Sequence, residues 1–380
     1  MTFQLTEEQE AVRQAARDFA EQELLPGVID RDINQDFPES LREKMGQLGF
    51  MGMMVSPEYN GGGMDTVSYV LALEEIAKVD ASAAIIMSVN NSLVCWGLEK
   101  YGTPEQKEKY LSRVASGQIS GAFCLSEPEA GSDASSQHTT AILQGDHYLL
   151  NGTKNWITNG GTAGVYLVIA QSDSSKKHKG INCLIVERGQ DGFVIGKKED
   201  KMGIRGSDTH ALMFNDVRVP VQNRVGIEGS GFSFAMGTLN GGRIGVAAQA
   251  LGIAAGAYER ALQYAKERKT FGHPISDHQA IQFKLATMAT KIEAARLLTL
   301  HAAWVKDQGK PYIKEAAMAK LYASEIAQYV TSEAVQIHGG YGYVREFHVE
   351  RMMRDAKITE IYEGTSEIHR MVIARELLKD

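Results

Sequence analysis

A carboxylate withdrawn from water beside a glycine and a helix start is a candidate proton acceptor, and Ile361 to Glu367, reading IYEGTSE, sets Glu363 in that way. Ile361 and Tyr362 would desolvate the carboxyl and raise its pKa toward working pH, where a carboxylate abstracts protons best. Gly364 lets a substrate come close to the backbone. Thr365 or Ser366 can cap the helix that runs on to Leu378, whose free N–H groups attract phosphate or other anions. Taken alone, the same stretch also reads as an exposed turn whose Glu is favoured by the helix dipole. The residues upstream decide between the two.

Other chemistries find no footing. The 10 histidines never occur as HExxH or beside a CxxC pair, so no metal site is expected. Walker A and GxSxG patterns are absent, which removes a P-loop NTPase and the esterase elbow. A net charge of -7, with basic residues interspersed among acids, excludes a nucleic-acid binder and is explained by solubility. Cys95, Cys124 and Cys183 are far apart in apolar surroundings, which predicts buried free thiols in a reducing compartment. Glu7, Glu8, Glu10 and Arg13 stand where a secretory signal would have its apolar core, so a cytoplasmic location is expected. No apolar run approaches the ~20 residues that would insert in a membrane.

The elements that must carry Glu363 fall into three stretches. A chain of 380 residues exceeds the roughly 250 to 300 at which one core stops growing, so several domains are expected. Residues 1–120 read as helices: Thr6 with Gln9 forms a capping box, and Thr103, Pro104 and Gln106 mark another helix that Gly117 stops. Residues 121–225 turn to short β-type runs, YLL, NWIT, VYLVIA, INCLIV and ALMF, punctuated by Asn151-Gly152 and Asn159-Gly160. With no helical stretch between these runs and no GxGxxG, a Rossmann fold is not expected. Residues 226–380 return to helical spacing, with Ile281, Leu285, Met288, Ile292 and Ala295 on one stripe. Ala247, Ala248, Ala250, Ala254, Ala255 and Ala257 make the preceding helix thin enough for close packing. The expected fold is mainly α with a middle β domain: an N-terminal helical domain, a β-barrel-like middle domain and a C-terminal four-helix bundle.

Several motifs then resemble one family. CLSEPEAGSDASS, Cys124 to Ser136, and QIHGGYGYVREFHVERMMRD, Gln336 to Asp355, are similar to the two signatures of the acyl-CoA dehydrogenases. WITNG at Trp156, GIRGSDT at Gly203, LNGGRIGVAAQALG at Leu239, RKTFG at Arg268 and IYEGTSE follow in the family's order, and the likeness spans essentially the whole chain. The resemblance implies FAD, a homotetramer and electron transfer to an electron-transferring flavoprotein. It implies Glu363 as the base that removes an α proton of an acyl-CoA thioester, with its backbone N–H helping to hold the enolate-like oxygen, and Gly364 giving the acyl chain room. Around the flavin it implies Leu125, Ser126, Gly131, Ser132, Trp156, Ile157 and Thr158. The family usually has Thr where this chain has Ser126, a change that keeps the hydroxyl. For the flavin of a neighbouring subunit it implies Arg268, Phe271 and Gln279, with Arg268 on phosphate; for the cofactor's other end, Gln336, Ile337, Gly339 and Gly340, then Thr365 and Glu367. Asn240 and Arg243 resemble the substrate-contacting turn, with Arg243 toward the CoA part and Ser132 also at the substrate.

Position 242 is glycine, whereas the isovaleryl and long-chain branches of that family carry their base there, just before the arginine. Glu363 is left as the base, and the sequence looks most like the short-chain, butyryl-CoA type. Short branched substrates remain an alternative, because a methyl branch is worth only about 1 to 3 kcal/mol in an apolar pocket. A dioxygen-using oxidase of the same scaffold and a catalytically silent acyl-CoA-binding protein are the other readings.

Overall fold

The structure, a computed structural model, describes residues 4–379. Its N-terminal third is helical and begins with α1, Glu7–Phe19, capped by Thr6 and Gln9 in a reciprocal box. Thr103 and Gln106 form the second box as expected, with Pro104 in the first turn and Gly117 at φ 75° past the last. Two helices of this region form its core. One is α2, Thr66–Ala77, and the other is α3, a continuous helical stretch from Ala81 to Tyr101. By length and composition α3 could cross a membrane, a feature the sequence reading missed, yet 94% of its apolar window is buried within the protein, as in a core helix.

The strands are β1 Gly121–Cys124, β2 Thr140–Gln144, β3 His147–Thr158, β4 Val165–Gln171, β5 Ile181–Glu187, β6 Phe193–Lys198, β7 Thr209–Pro220 and β8 Arg224–Val225. They pair in the order β6-β7-β3-β2-β4-β5-β8, with β1 running parallel alongside β4. The expected barrel does not close, because β6 and β8 end the order without meeting. β4, in the middle of this order, is buried on both faces. Val165, Leu167 and Ile169 enter the core shared with the helices, while Tyr166, Val168 and Ala170 enter a smaller core among the strands. Successive side chains point to opposite faces, so β4 packs on the helices with one set and on the other strands with the other.

Four helices carry the C-terminal part: α4 Gly231–Glu267, α5 Gln279–Asp307, α6 Ile313–His338 and, after the short α7 Val349–Lys357, α8 Ser366–Leu377. The alanines of α4 are buried as the spacing predicts. Its glycines let the helix press on the N-terminal domain: a Cβ at Gly252 would stand 2.4 Å from the Glu74 carbonyl oxygen, and one at Gly256 2.3 Å from that of Lys78. The central helix of the bundle is thereby also a wall of the first domain, which brings Gly242 and Arg243 against α3.

Candidate active site

Glu363 lies in the turn between a 3₁₀ segment, Ile358–Glu360, and α8. Its backbone is left-handed, φ 53°, and Gly364 follows at φ 97°. A non-glycine residue in this region is uncommon and is held there by its surroundings. The residue is half-buried by area, but both carboxylate oxygens are sealed from solvent and have no hydrogen-bond partner. Burial raises its pKa to about 7, against the pull of Lys320 and Arg243. The desolvation does not come from Ile361, which is 50% exposed. It comes from α4 and α3: a Cβ on Gly242 would fall 2.0 Å from Glu363 Oε2 and 2.8 Å from Leu93 Cδ2. The missing side chain at position 242 is the space the Glu363 carboxylate occupies.

Arg243, the next residue, is buried, with Nη1 donating to Asn240 Oδ1 at 2.8 Å and Nε unpartnered. It therefore faces Glu363 from within the protein. The Tyr362 hydroxyl, on the residue before Glu363, donates to Gln249 Oε1, and the Gln249 amide donates to the Ala81 carbonyl at 2.9 Å. Tyr69 is buried one turn along α4, where a Cβ on Gly245 would meet its hydroxyl at 2.7 Å. Two further polar groups here were not singled out from the sequence, Lys320, fully buried on α6, and His369 on α8, whose ring nitrogens lack partners. Ser366, read as a possible cap, leaves the capping to Thr365, and its Oγ is also unpartnered.

The first signature loop is anchored by a residue the motif reading passed over. Glu127, buried, accepts from the backbone N–H groups of His138 at 2.6 Å and Thr139 at 3.0 Å, and from Lys154 Nζ at 2.7 Å. Burial alone would raise its pKa, but Lys154 and these donors hold it below the ordinary value. Lys154 also donates to the Leu125 carbonyl at 3.1 Å. Ser126 is half-buried, and Gly131 and Ser132 are exposed in the loop the pair ties down. The Asn155 N–H donates to the Ser126 carbonyl at 2.9 Å, joining this loop to β3. There the register slips between Lys154 and Ile157, and Trp156 sits at φ 61° with 59% of its surface exposed. A bulge re-aims a side chain, and this one presents an indole face outward beside Ser126, with Ile157 buried and Thr158 half-buried next to it.

A second cleft, about 490 Å³, is lined by Arg268, Ile337, Gly339, Gly340 and Tyr341 among others. The Arg268 guanidinium lies over the Tyr341 ring at 5.4 Å, and Gly339, φ 59°, ends α6 with its N–H bonded to the Gln336 carbonyl. Gln336 is exposed, as are Phe271, at 92%, and Gln279. Thr365 caps α8 and Glu367 stands exposed in its first turn. The cleft is not at Glu363: Arg268, which caps α4, is 25 residues beyond Arg243, roughly 37 Å at 1.5 Å per residue, whereas Thr365 and Glu367 adjoin Glu363 in the chain.

Models of the acyl-CoA dehydrogenase N-terminal, middle and C-terminal domains match residues 6–118, 122–217 and 229–378. The chain belongs to the acyl-CoA dehydrogenase family. Among its relatives is the short-chain-specific acyl-CoA dehydrogenase of Clostridium acetobutylicum, 50% identical over the whole of both chains. Butyryl-CoA dehydrogenase from Megasphaera elsdenii superposes with a TM-score of 0.98 at 50% identity, covering all of both chains. A chain from a structure described as the electron transferring flavoprotein of Acidaminococcus fermentans, concerned with flavin-based electron bifurcation, does so at 0.99 and 53%, again over both chains in full. As a member of this family the protein is an FAD-dependent oxidoreductase. The residues fit the cofactor: an outward-facing indole on a bulge, a loop of small hydroxyl residues, and a cleft with a guanidinium and adjacent glycines.

Proposed function

We propose that this acyl-CoA dehydrogenase forms the 2,3 double bond of short-chain acyl-CoA thioesters and passes the electrons to an electron-transferring flavoprotein. The observation that carries the reading is the Glu363 carboxylate, buried, unpartnered and poised near pH 7 in the space left by Gly242. Bound FAD would supply the hydride acceptor for the hydrogen leaving C3. The chain's own residues do the rest. Glu363 takes the C2 proton onto a carboxylate oxygen, which a group poised near working pH does best. Its backbone N–H helps bind the thioester oxygen as negative charge develops there. Gly364, without a side chain, leaves the acyl chain a path beside the base. Arg243, being buried beside Glu363, suits the thioester end of the substrate better than the outer phosphates. Leu125, Ser126, Gly131, Ser132, Trp156, Ile157 and Thr158 orient the flavin, with Ser132 and Asn240 also on the substrate.

Short-chain preference is supported by glycine at position 242, where a side chain would meet Glu363 Oε2, leaving Glu363 as the base. It is also in keeping with the names of the relatives. The same reading divides the chain at 1–120, 121–225 and 226–380. It assigns Arg268, Phe271, Gln279, Gln336, Ile337, Gly339, Gly340, Thr365 and Glu367 to cofactor contacts that a homotetramer completes. Three buried free thiols, Cys95, Cys124 and Cys183, suit a cytoplasmic setting. The test is an anaerobic titration of purified protein with linear and branched C4 to C8 acyl-CoAs. Butyryl-CoA should bleach the flavin best. Glu363→Gln should keep flavin and bind substrate but lose α-proton exchange and turnover by at least about 10²-fold. Unimpaired turnover in that variant would remove Glu363 from the role.

A further inference from the structure

Lys320 is a lysine with no exposed surface, set on α6 among the buried Ala316, Ala317, Ala319 and Ala323. A buried ammonium is costly unless it is partnered, and its Nζ donates to the Gly364 carbonyl at 2.6 Å. That carbonyl belongs to the left-handed pair Glu363–Gly364, φ 53° and 97°, a conformation that glycine adopts freely but that Glu363 does not favour. The charged groups facing the ammonium come from every element around it. They are Glu363 in the turn, Arg243 on α4, Glu360 on the 3₁₀ segment and Glu367 on α8. His369 on α8 also feels Lys320, and Arg375 and Tyr312 act on Arg243. In the immediate surroundings of Glu363 the two cations are Lys320 and Arg243.

We propose that Lys320 is a positioning residue for the dehydrogenation: it clamps the Glu363–Gly364 turn through the Gly364 carbonyl and gives the base a buried counter-charge. The inference rests on the reading of Glu363 as the base. A neutral donor could supply the clamp, but only a cation favours the ionised carboxylate in a place without water. Burial lowers the Lys320 pKa while Glu363 draws it up, and Lys320 in turn draws the Glu363 pKa down. Removing the cation must therefore raise the pKa of the base.

The experiment compares the flavin-loaded wild type with Lys320→Gln, Lys320→Met and Glu363→Gln, using butyryl-CoA. It reads kcat/KM from acid to alkaline pH, α-proton exchange and flavin content. In both Lys320 variants the acid limb of the profile should move upward by roughly one pH unit. Lys320→Gln, which can still donate to Gly364, should lose less of its high-pH kcat than Lys320→Met. An acid limb that stays in place in both variants, with losses confined to flavin content or stability, overturns the proposal. If Lys320→Met does not fold, the limb of Lys320→Gln decides alone. Full turnover in Glu363→Gln would instead bring down the base assignment, so the two failures are told apart.

Discussion

At the scale of single residues, the site depends on a side chain that is absent. Gly242 leaves the volume that Glu363 Oε2 fills, so Gly242→Ala would place a methyl carbon 2.0 Å from that oxygen and force the base aside. The expected outcome is a fall of about 10²-fold or more in kcat with flavin content unchanged, measured by steady-state turnover beside the visible spectrum. The wild type should also show its base titrating. Only ionised Glu363 accepts a proton, and burial holds its pKa near about 7. The rate should therefore be low in acid and rise through neutrality, the opposite of what a catalytic acid at that position would give. IYEGTSE marked Glu363 as a candidate base with a desolvated carboxyl, and the carboxyl is buried, but the origin of its desolvation was not legible there. Ile361, its sequence neighbour, turns outward, while Gly242 and Leu93, more than a hundred residues away, close over it. A signal for Lys320 does exist in the sequence: it stands at helical spacing between Ala316 and Ala323, on a stripe where the other residues are core.

Among the secondary-structure elements, the signature motifs turn out to be partly architectural. The Glu127–Lys154 pair, both buried, ties the flavin-side loop to β3. Breaking such a pair by removing one partner leaves a buried charge uncompensated. Lys154→Met is expected to destabilise the protein by about 3–5 kcal/mol and to loosen the loop around Ser126, read as a lower unfolding midpoint and easier flavin release. At the end of the second signature, Arg351 Nη1 donates to Asp355 Oδ2 at 3.0 Å and Arg354 Nη2 to Asp32 Oδ2 at 2.8 Å. The Ile204 N–H of the GIRGSDT stretch also bonds Asp355. These residues join the first helices, the strands' loop and α7, so a motif that reads as a cofactor signature is also a strut between domains. Spacing could not reveal this, since each partner lies in a different stretch of chain.

For the molecule as a whole, the decisive quantity is the length of α4. Arg243 stands on α4 and Arg268 caps its C-terminus, roughly 37 Å apart at 1.5 Å per residue, so the cleft at Arg268 is far from Glu363. The cleft at Arg268 is then expected to serve the flavin of a second copy. Arg268→Ala should lower flavin retention severalfold while leaving α-proton exchange normal in the subunits that keep their cofactor. Dilution that separates subunits should release flavin in step, followed by flavin fluorescence beside sedimentation. Retention independent of both would show that each subunit holds its cofactor unaided.

The sequence by itself determined the local structure and the order of its parts. The capping boxes at Thr6 and Thr103 and the apolar stripe of α5 are written in neighbouring residues and formed where those residues dictate, whereas YLL and NWIT, read as separate runs, join in β3 with Asn151-Gly152 as a register shift inside the strand rather than a turn. Tertiary structure alone decided whether the sheet closed and what surrounds the base. β6 and β8 end the sheet without pairing to each other, and β4 alternates between two cores. Gly242, Arg243 and Lys320 converge on Glu363 from separate helices. The reason is physical: backbone preference acts over a few residues, whereas desolvation and buried charge depend on atoms that only the packing of distant segments brings within reach.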